Sequence, residues 1–162
     1  MRKPGICQIC VVVEDLDRSM GSYWNLLGIG PWDVLRLNQD TVRDFTLNGR
    51  LVTEPFEFMV AVTPLKNTQF ELIQPVTGPT PYADFLGTHG EGLHHLKEEI
   101  PEDQIQSVVR EYAQSGIPVL SSGRFDDDIF YYFDTRSTLG FIYEVGNCGK
   151  VREPERRFPD SI

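Results

Sequence analysis

An apolar, β-branched run, Ile6 to Val13, is followed by a helix start and then by strand patterns, and after residue 91 the same order of patterns comes again. Such a repeat constrains the fold more than any single motif, because each half must bury one apolar face and the two faces can cover each other. In the first half, Glu14-Asp15-Leu16-Asp17 opens a helix, Met20, Tyr23, Trp24 and Leu27 recur at helical spacing, and Gly28 stops it. Trp32 to Leu37, a segment near Thr46, Phe56 to Val62 and Gln69 to Gln74 read as strands, with a turn at Pro64-Leu65-Lys66-Asn67. The second half reads as a strand from Leu93 to Ile100, a helix from about Pro101 to Gln114, and strands near Val119, Ile129 to Phe133 and Phe141 to Val145. The predicted class is α+β, two βαβββ modules: module one about 6–76, a connector of 77–91 with a short helix around Tyr82 to Leu86, module two about 92–148, and a tail of 149–162. The tail, charged and proline-bearing, is expected to be a loosely held terminus or a strap onto a partner subunit.

The 162 residues suit one domain or two small fused modules, and 40% hydrophobic with 24% charged residues is ordinary for a globular protein. A net charge of -9 argues against nucleic acid or an anionic membrane as the partner and leaves small molecules. Cys7, Cys10 and Cys148 do not complete a zinc site. The Cys7-x-x-Cys10 pair lies in an apolar strand where alternation points the two side chains to opposite faces, so these cysteines read as reduced packing residues. No stretch has transmembrane length and MRKPG does not read as a signal peptide, which points to the cytoplasm.

Laid over one another, the halves match Gln8 with His95 and Glu71 with Glu144. If the modules pack symmetrically, one imidazole, two carboxylates and one amide converge as ligands for a divalent metal. Taken singly, each has a plainer reading as a solvent-facing strand residue or a hydrogen-bonded histidine. Glu71 in QFELIQ and Glu144 in FIYEVG are however single acids in apolar runs, where an isolated buried carboxylate is costly without a cation. In the segment GLHHLKEEI, strand alternation puts His95, Lys97 and Glu99 on the face of the site. Lys97 could bind a substrate carboxylate or phosphate, donate a proton, or pair with Glu99 to guard an edge strand. Trp24, Trp32, Tyr131 and Tyr132 could line a pocket or fill the core.

The segments CQICVVVEDLDRSMGSYWNLLGI, QFELIQP, GEGLHHL and FDTRSTLGFIYEVG resemble the vicinal oxygen chelate (glyoxalase/dioxygenase) superfamily, and within it the methylmalonyl-CoA epimerases and their glyoxalase-like relatives. The resemblance runs from Gln8 to Gly146 and implies a cup-shaped mixed sheet around one divalent metal, often in a homodimer. By this resemblance His95 is the metal-ligand histidine and His94 points the other way, while Glu144 and Glu71 are carboxylate ligands. The fourth family ligand is a histidine, where this chain has Gln8. A site of Gln8, Glu71, His95 and Glu144 is oxygen-rich, less suited to tight zinc than to cobalt, manganese or magnesium-like ions, and leaves the ion open among cobalt, manganese, zinc, nickel and iron. The implied activity is a metal-dependent epimerase or isomerase that removes a proton beside a metal-bound carbonyl through an enolate. Glu144 would be one acid/base. Glu57 in FEFMVA is the candidate for the other, with Glu54 as the alternative and Lys97 as a further catalytic candidate. The resemblance also covers glyoxalase-like lyases and ring-cleaving dioxygenases, and Gln8 leaves room for a non-catalytic binding protein. An acyl-CoA, a keto acid or a sugar-like compound would suit that chemistry, with CoA not favoured by the acidic charge.

Overall fold

The structure is a computed structural model that describes residues 4–160. Module one comprises β1 (Ile6–Val12), α1 (Leu16–Leu27), β2 (Trp32–Asn38), the hairpin β3 (Val42–Leu47) and β4 (Arg50–Leu51), β5 (Glu57–Pro64) and β6 (Gln69–Thr77). After α2 (Pro81–His89), module two follows as β7 (Gly92–Glu99), α3 (Glu102–Gln114), β8 (Val119–Phe125), β9 (Asp128–Phe133), α4 (Arg136–Leu139) and β10 (Ile142–Gly146), and β11 (Arg156–Phe158) ends the order. The strands form one mixed sheet in the order β11-β2-β5-β6-β1-β7-β10-β9-β8-β3-β4. The two βαβββ units are therefore joined side by side through antiparallel β1 and β7, each flanked by a parallel neighbour, β6 or β10.

Local sequence accounts for the helix boundaries. Asp15 caps α1 by accepting from Arg18 N at 2.9 Å, and Gly28, in the left-handed region at φ 66, closes it with its N–H on Trp24 O. Thr80 caps α2 through Ala83 N at 3.0 Å, with Pro81 in the first turn. Helices α1 and α3 lie on outer faces: Leu16 and Met20 pack with Trp32, Val34 and Leu72, and Ile105 and Val108 with Phe133 and Val145. The inner face carries a third cluster, including Leu35, Phe58, Val60, Ile73, Phe130 and Tyr132, joined by Tyr82 and Phe85 of α2.

Three expectations change. The strand near Thr46 does not stay in module one: β3 pairs with β8, with Thr46 opposite Ser122 and their hydroxyls 2.8 Å apart. The loop from 38 to 57 is long enough to reach across, and Val42 and Phe45 bury themselves in the inner cluster there. The tail is not loosely held, since residues 156–158 pair with β2 of the same chain and Arg157 binds Asp33 at 2.7 Å. Finally, β7 is central rather than an edge, so an edge-guarding role for Lys97 has no edge to guard.

Candidate active site

The polar floor of the cup lies where the modules meet, on β6, β1, β7 and β10. Strand register reproduces the internal equivalence: Cys10 is beside Glu71 in module one as Lys97 is beside Glu144 in module two, and across the junction Gln8 faces Lys97 as Cys10 faces His95. Equivalent strands thus deliver Glu71 and Glu144 to either side of His95. Its Nε2 lies 3.3 Å from Glu71 Oε2 and 2.9 Å from Glu144 Oε2, with His95 fully buried. Gln8 Nε2 donates to Gln69 Oε1 at 2.5 Å and to Glu71 Oε1 at 3.4 Å. On the far side of Glu144, Lys97 Nζ is 3.1 Å from Oε1 and bonds both oxygens of Asp128 at 3.0 Å. The result is a row of alternating charge types: Glu71, His95, Glu144, Lys97, Asp128.

Burial and charge act against each other along this row. Burial disfavours the charged imidazole, but the Glu144 and Glu71 carboxylates outweigh it and push His95 up to about 9. Burial likewise works against the Lys97 ammonium, yet Glu144 and Asp128 hold it well above the usual lysine value. Glu144, which burial alone would raise, is kept below its ordinary value by Lys97 and His95. For Asp128 burial prevails over Lys97 and the group is raised. Gly146 makes room for the lysine, because a Cβ there would stand 2.7 Å from Lys97 Cε and 2.3 Å from Ile129 O. Tyr82 and Tyr132, hydroxyl to hydroxyl at 2.8 Å, are pushed up by burial and remain hydroxyl donors.

His94 does not point away. Cys10 pairs with His95 and Val11 with Leu93, so His94 is the extra residue of a β-bulge, and alternation breaks at that point. Both rings are buried and their Nδ1 atoms lie 2.8 Å apart. His94 packs between Tyr82 and Phe85 of α2 and Tyr132. Burial and the neighbouring His95 hold it well below the usual histidine value, so it is neutral.

Not every candidate arrives. Glu57 stands on the outer face of β5, paired with Arg36, because Phe58, Val60 and Val62 take the inward positions of that strand. Glu54 is exposed in the preceding loop. Of the aromatics, Tyr132 lines the cup, whereas Trp32 is in the outer core and Tyr131 accepts from Gln106 of α3 at 2.9 Å. Asp128, Gln69 and Tyr82 were not singled out by sequence. Asp128 reads as part of the turn FDDDIF, although the period-two set Asp128, Phe130, Tyr132, all facing the cup, carries the signal. Cys7 is also the extra residue of a bulge, and its Sγ lies 3.1 Å from Cys148 Sγ at the cavity wall.

The donor set fits a divalent ion. His95 Nε2 and Glu144 Oε2 are both buried without a hydrogen-bond partner, being close together but off the line a ring N–H requires. Two ligand atoms this close without a hydrogen bond, with Glu71 Oε2 beside them, form an arrangement that a cation resolves. Gln8 presents its amide nitrogen to this group, so service as a fourth ligand requires that amide turned over. Cys10, His94 and His95 form a second group, their ligand atoms within 4.8 Å of one another. There the two Nδ1 atoms already bond each other, which leaves them engaged.

Above the floor is a cavity of about 370 Å³, walled mostly by apolar side chains of β2, β5, β8 and β9. Among the described residues no helix is long and apolar enough to cross a membrane. No curated protein sequence matches the chain significantly. Solved structures do share the fold. Methylmalonyl-CoA epimerase from Mycobacterium tuberculosis is 18% identical with a TM-score of 0.62, over 88% of this chain and 86% of that one. A methylmalonyl-CoA epimerase solved with methylmalonyl-CoA and NH4+ is 16% identical with a TM-score of 0.65, over 94% and 100%. A Streptomyces coelicolor methylmalonyl-CoA epimerase variant in complex with 2-nitronate-propionyl-CoA gives the same identity, TM-score and coverage. A family model matches residues 7–133, well over half of the sequence, from β1 to the end of β9. On that match the chain belongs to the Glyoxalase/Bleomycin resistance protein/Dioxygenase superfamily.

Proposed function

We propose that the protein is an epimerase or isomerase that moves a proton at a carbon beside a carbonyl, on a small-molecule substrate held in the cup. The observation that carries this reading is the buried pair His95 Nε2 and Glu144 Oε2, 2.9 Å apart without a hydrogen-bond partner, flanked by Glu71. The likeness of the fold to methylmalonyl-CoA epimerases supports it. Glu71, His95 and Glu144, with Gln8 as a possible fourth donor, would hold a divalent ion, which when bound polarises the substrate carbonyl. The ion is one of cobalt, manganese, zinc, nickel or iron, and the two carboxylates favour the oxygen-accepting members.

The remaining work falls to the chain. Glu144, kept ionised by the neighbouring Lys97, is the group that takes the α-proton in this reading. Inversion needs a second group to return it from the other side. With Glu57 outside the cup, Glu71 takes that role, as the second carboxylate at His95 Nε2. Lys97 holds Glu144 in place, its ammonium shared between Glu144 and Asp128. The Tyr82 and Tyr132 hydroxyls supply neutral donors within the same cavity.

Metal content by mass spectrometry after incubation with each ion, followed by NMR of α-proton exchange in deuterated water with acyl thioesters and ketones, tests the proposal. About one ion per chain, and exchange in at least one compound, are expected. His95→Ala and Glu144→Ala are each expected to lose the ion while keeping the circular-dichroism spectrum. Full metal content in both variants, or no exchange with any compound, overturns the reading.

A further inference from the structure

Resting on the proposed carbonyl chemistry, we infer that the cup takes a carbonyl compound carrying an uncharged apolar group, of about phenyl or branched-alkyl size, rather than a dicarboxylate half or a sugar. Three observations lead there. First, the walls facing the floor are apolar: Leu35, Phe58, Val60, Phe125 and Phe130 all line the cavity. A hydroxylated substrate would leave its donors and acceptors unpaired against these side chains, which is costly, whereas an apolar group gains by the same burial.

Second, the cavity offers a substrate carboxylate no free cationic side chain. Among the described residues Lys97 is the one lysine or arginine that lines it. Its ammonium is already held by both oxygens of Asp128 at 3.0 Å and by Glu144 Oε1 at 3.1 Å, and it is 4% exposed. Next to the Phe125 wall, Arg152 lies 5.0 Å above that ring, and it too is engaged, with two of its nitrogens on Asp126 at 2.6 and 2.9 Å. A carboxylate entering the cup would be desolvated beside Glu71, Glu144, Asp128 and Glu99 with no free cationic side chain to pair it, only neutral donors such as the hydroxyls of Tyr82 and Tyr132.

Third, the size suits such a group. At about 370 Å³ the cavity stands near the lower end of the roughly 300–1,000 Å³ of small-molecule pockets. The space is enough for a carbonyl and one ring or branched chain over the floor.

The test compares two thioesters of N-acetylcysteamine, the 2-phenylpropanoyl and the methylmalonyl, by isothermal titration calorimetry, with and without one equivalent of cobalt. The phenylpropanoyl thioester is expected to bind at least tenfold tighter in both conditions. Val62→Arg, which adds a cation at a partly buried wall position, is expected to narrow or reverse that ratio. Equal or tighter binding of the methylmalonyl thioester to the wild type, or no binding of the phenylpropanoyl thioester, overturns the inference. Proton exchange at the α-carbon, followed by NMR on the same samples, reports separately on the reaction. Tight phenylpropanoyl binding, with no exchange there or in any of the other thioesters and ketones, upholds the apolar specificity and sinks the epimerase reading. Exchange on a tightly bound methylmalonyl thioester does the reverse.

Discussion

At the scale of single residues, Lys97 decides the charge balance of the floor. It is the cation between Glu144 and Asp128, and Gly146 leaves the gap into which its side chain extends. Removing one member of a buried ionic group leaves the others uncompensated, so Lys97→Met is expected to cost about 3–5 kcal/mol in urea unfolding. A change below 1 kcal/mol would mean that water already screens the group. His95 makes the metal-free protein sensitive to pH. Its value in the folded chain, about 9, lies above the ordinary histidine value, so protonated His95 stabilises the fold in full below about pH 6.5, and that contribution is lost as pH rises through about 9. Unfolding of metal-stripped protein at pH 6, 7.5 and 9.5 should therefore show falling stability, and His95→Gln should flatten the trend. An unchanged slope in that variant would assign it to another group.

At the scale of elements, the bulge in β7 governs how the site is braced. By inserting His94 between the pairs Cys10–His95 and Val11–Leu93, it turns two consecutive imidazoles inward and sets their Nδ1 atoms 2.8 Å apart. A ring that uses Nε2 toward Glu71 and Glu144 carries its proton on Nδ1, and neutral His94 is placed to accept it. His94→Ala is expected to weaken metal retention about 10- to 100-fold in chelator competition. Because the pocket of Tyr82 and Phe85 would also lose a neighbour, His94→Phe serves as a control that fills space without accepting a hydrogen bond. Restored affinity in His94→Phe would reduce the role of His94 to packing.

At the scale of the whole molecule, two segments extend the sheet beyond the paired modules. The β3–β4 hairpin leaves module one and continues module two's edge at β8, and β11 covers β2 at the opposite edge. Phe158 packs on the outer cluster with Trp32 and Val34, and Arg157 binds Asp33. Ending the chain after Glu153 uncovers that edge, and about 1–2 kcal/mol of stability should be lost with little change in metal content, since three strands separate β11 from β1. Loss of the metal together with stability would show that the edge and the floor are coupled through the sheet.

Much of this architecture is local in origin and therefore legible in the chain itself. Apolar alternation, the helix start at Asp15 and stop at Gly28, and the turn at 64–67 define most elements, and the repeated order of elements pairs Glu71 with Glu144 and Gln8 with His95. Both carboxylates were visible as single acids in apolar strands, because the cost of burying a charge makes such a residue stand out. What alternation by itself cannot carry is the outcome of one extra residue. The bulge at His94 reverses the facing of a side chain that period two sends outward, and strand phase sends Glu57 to the outer face although its position in the chain suits the site. Asp128 joins the floor because β9 and β7 both border β10, a neighbourhood across 31 residues of sequence. The paths of β3 and β11 were likewise settled by which open sheet edge lay within reach, which is a property of the assembled sheet and not of either segment.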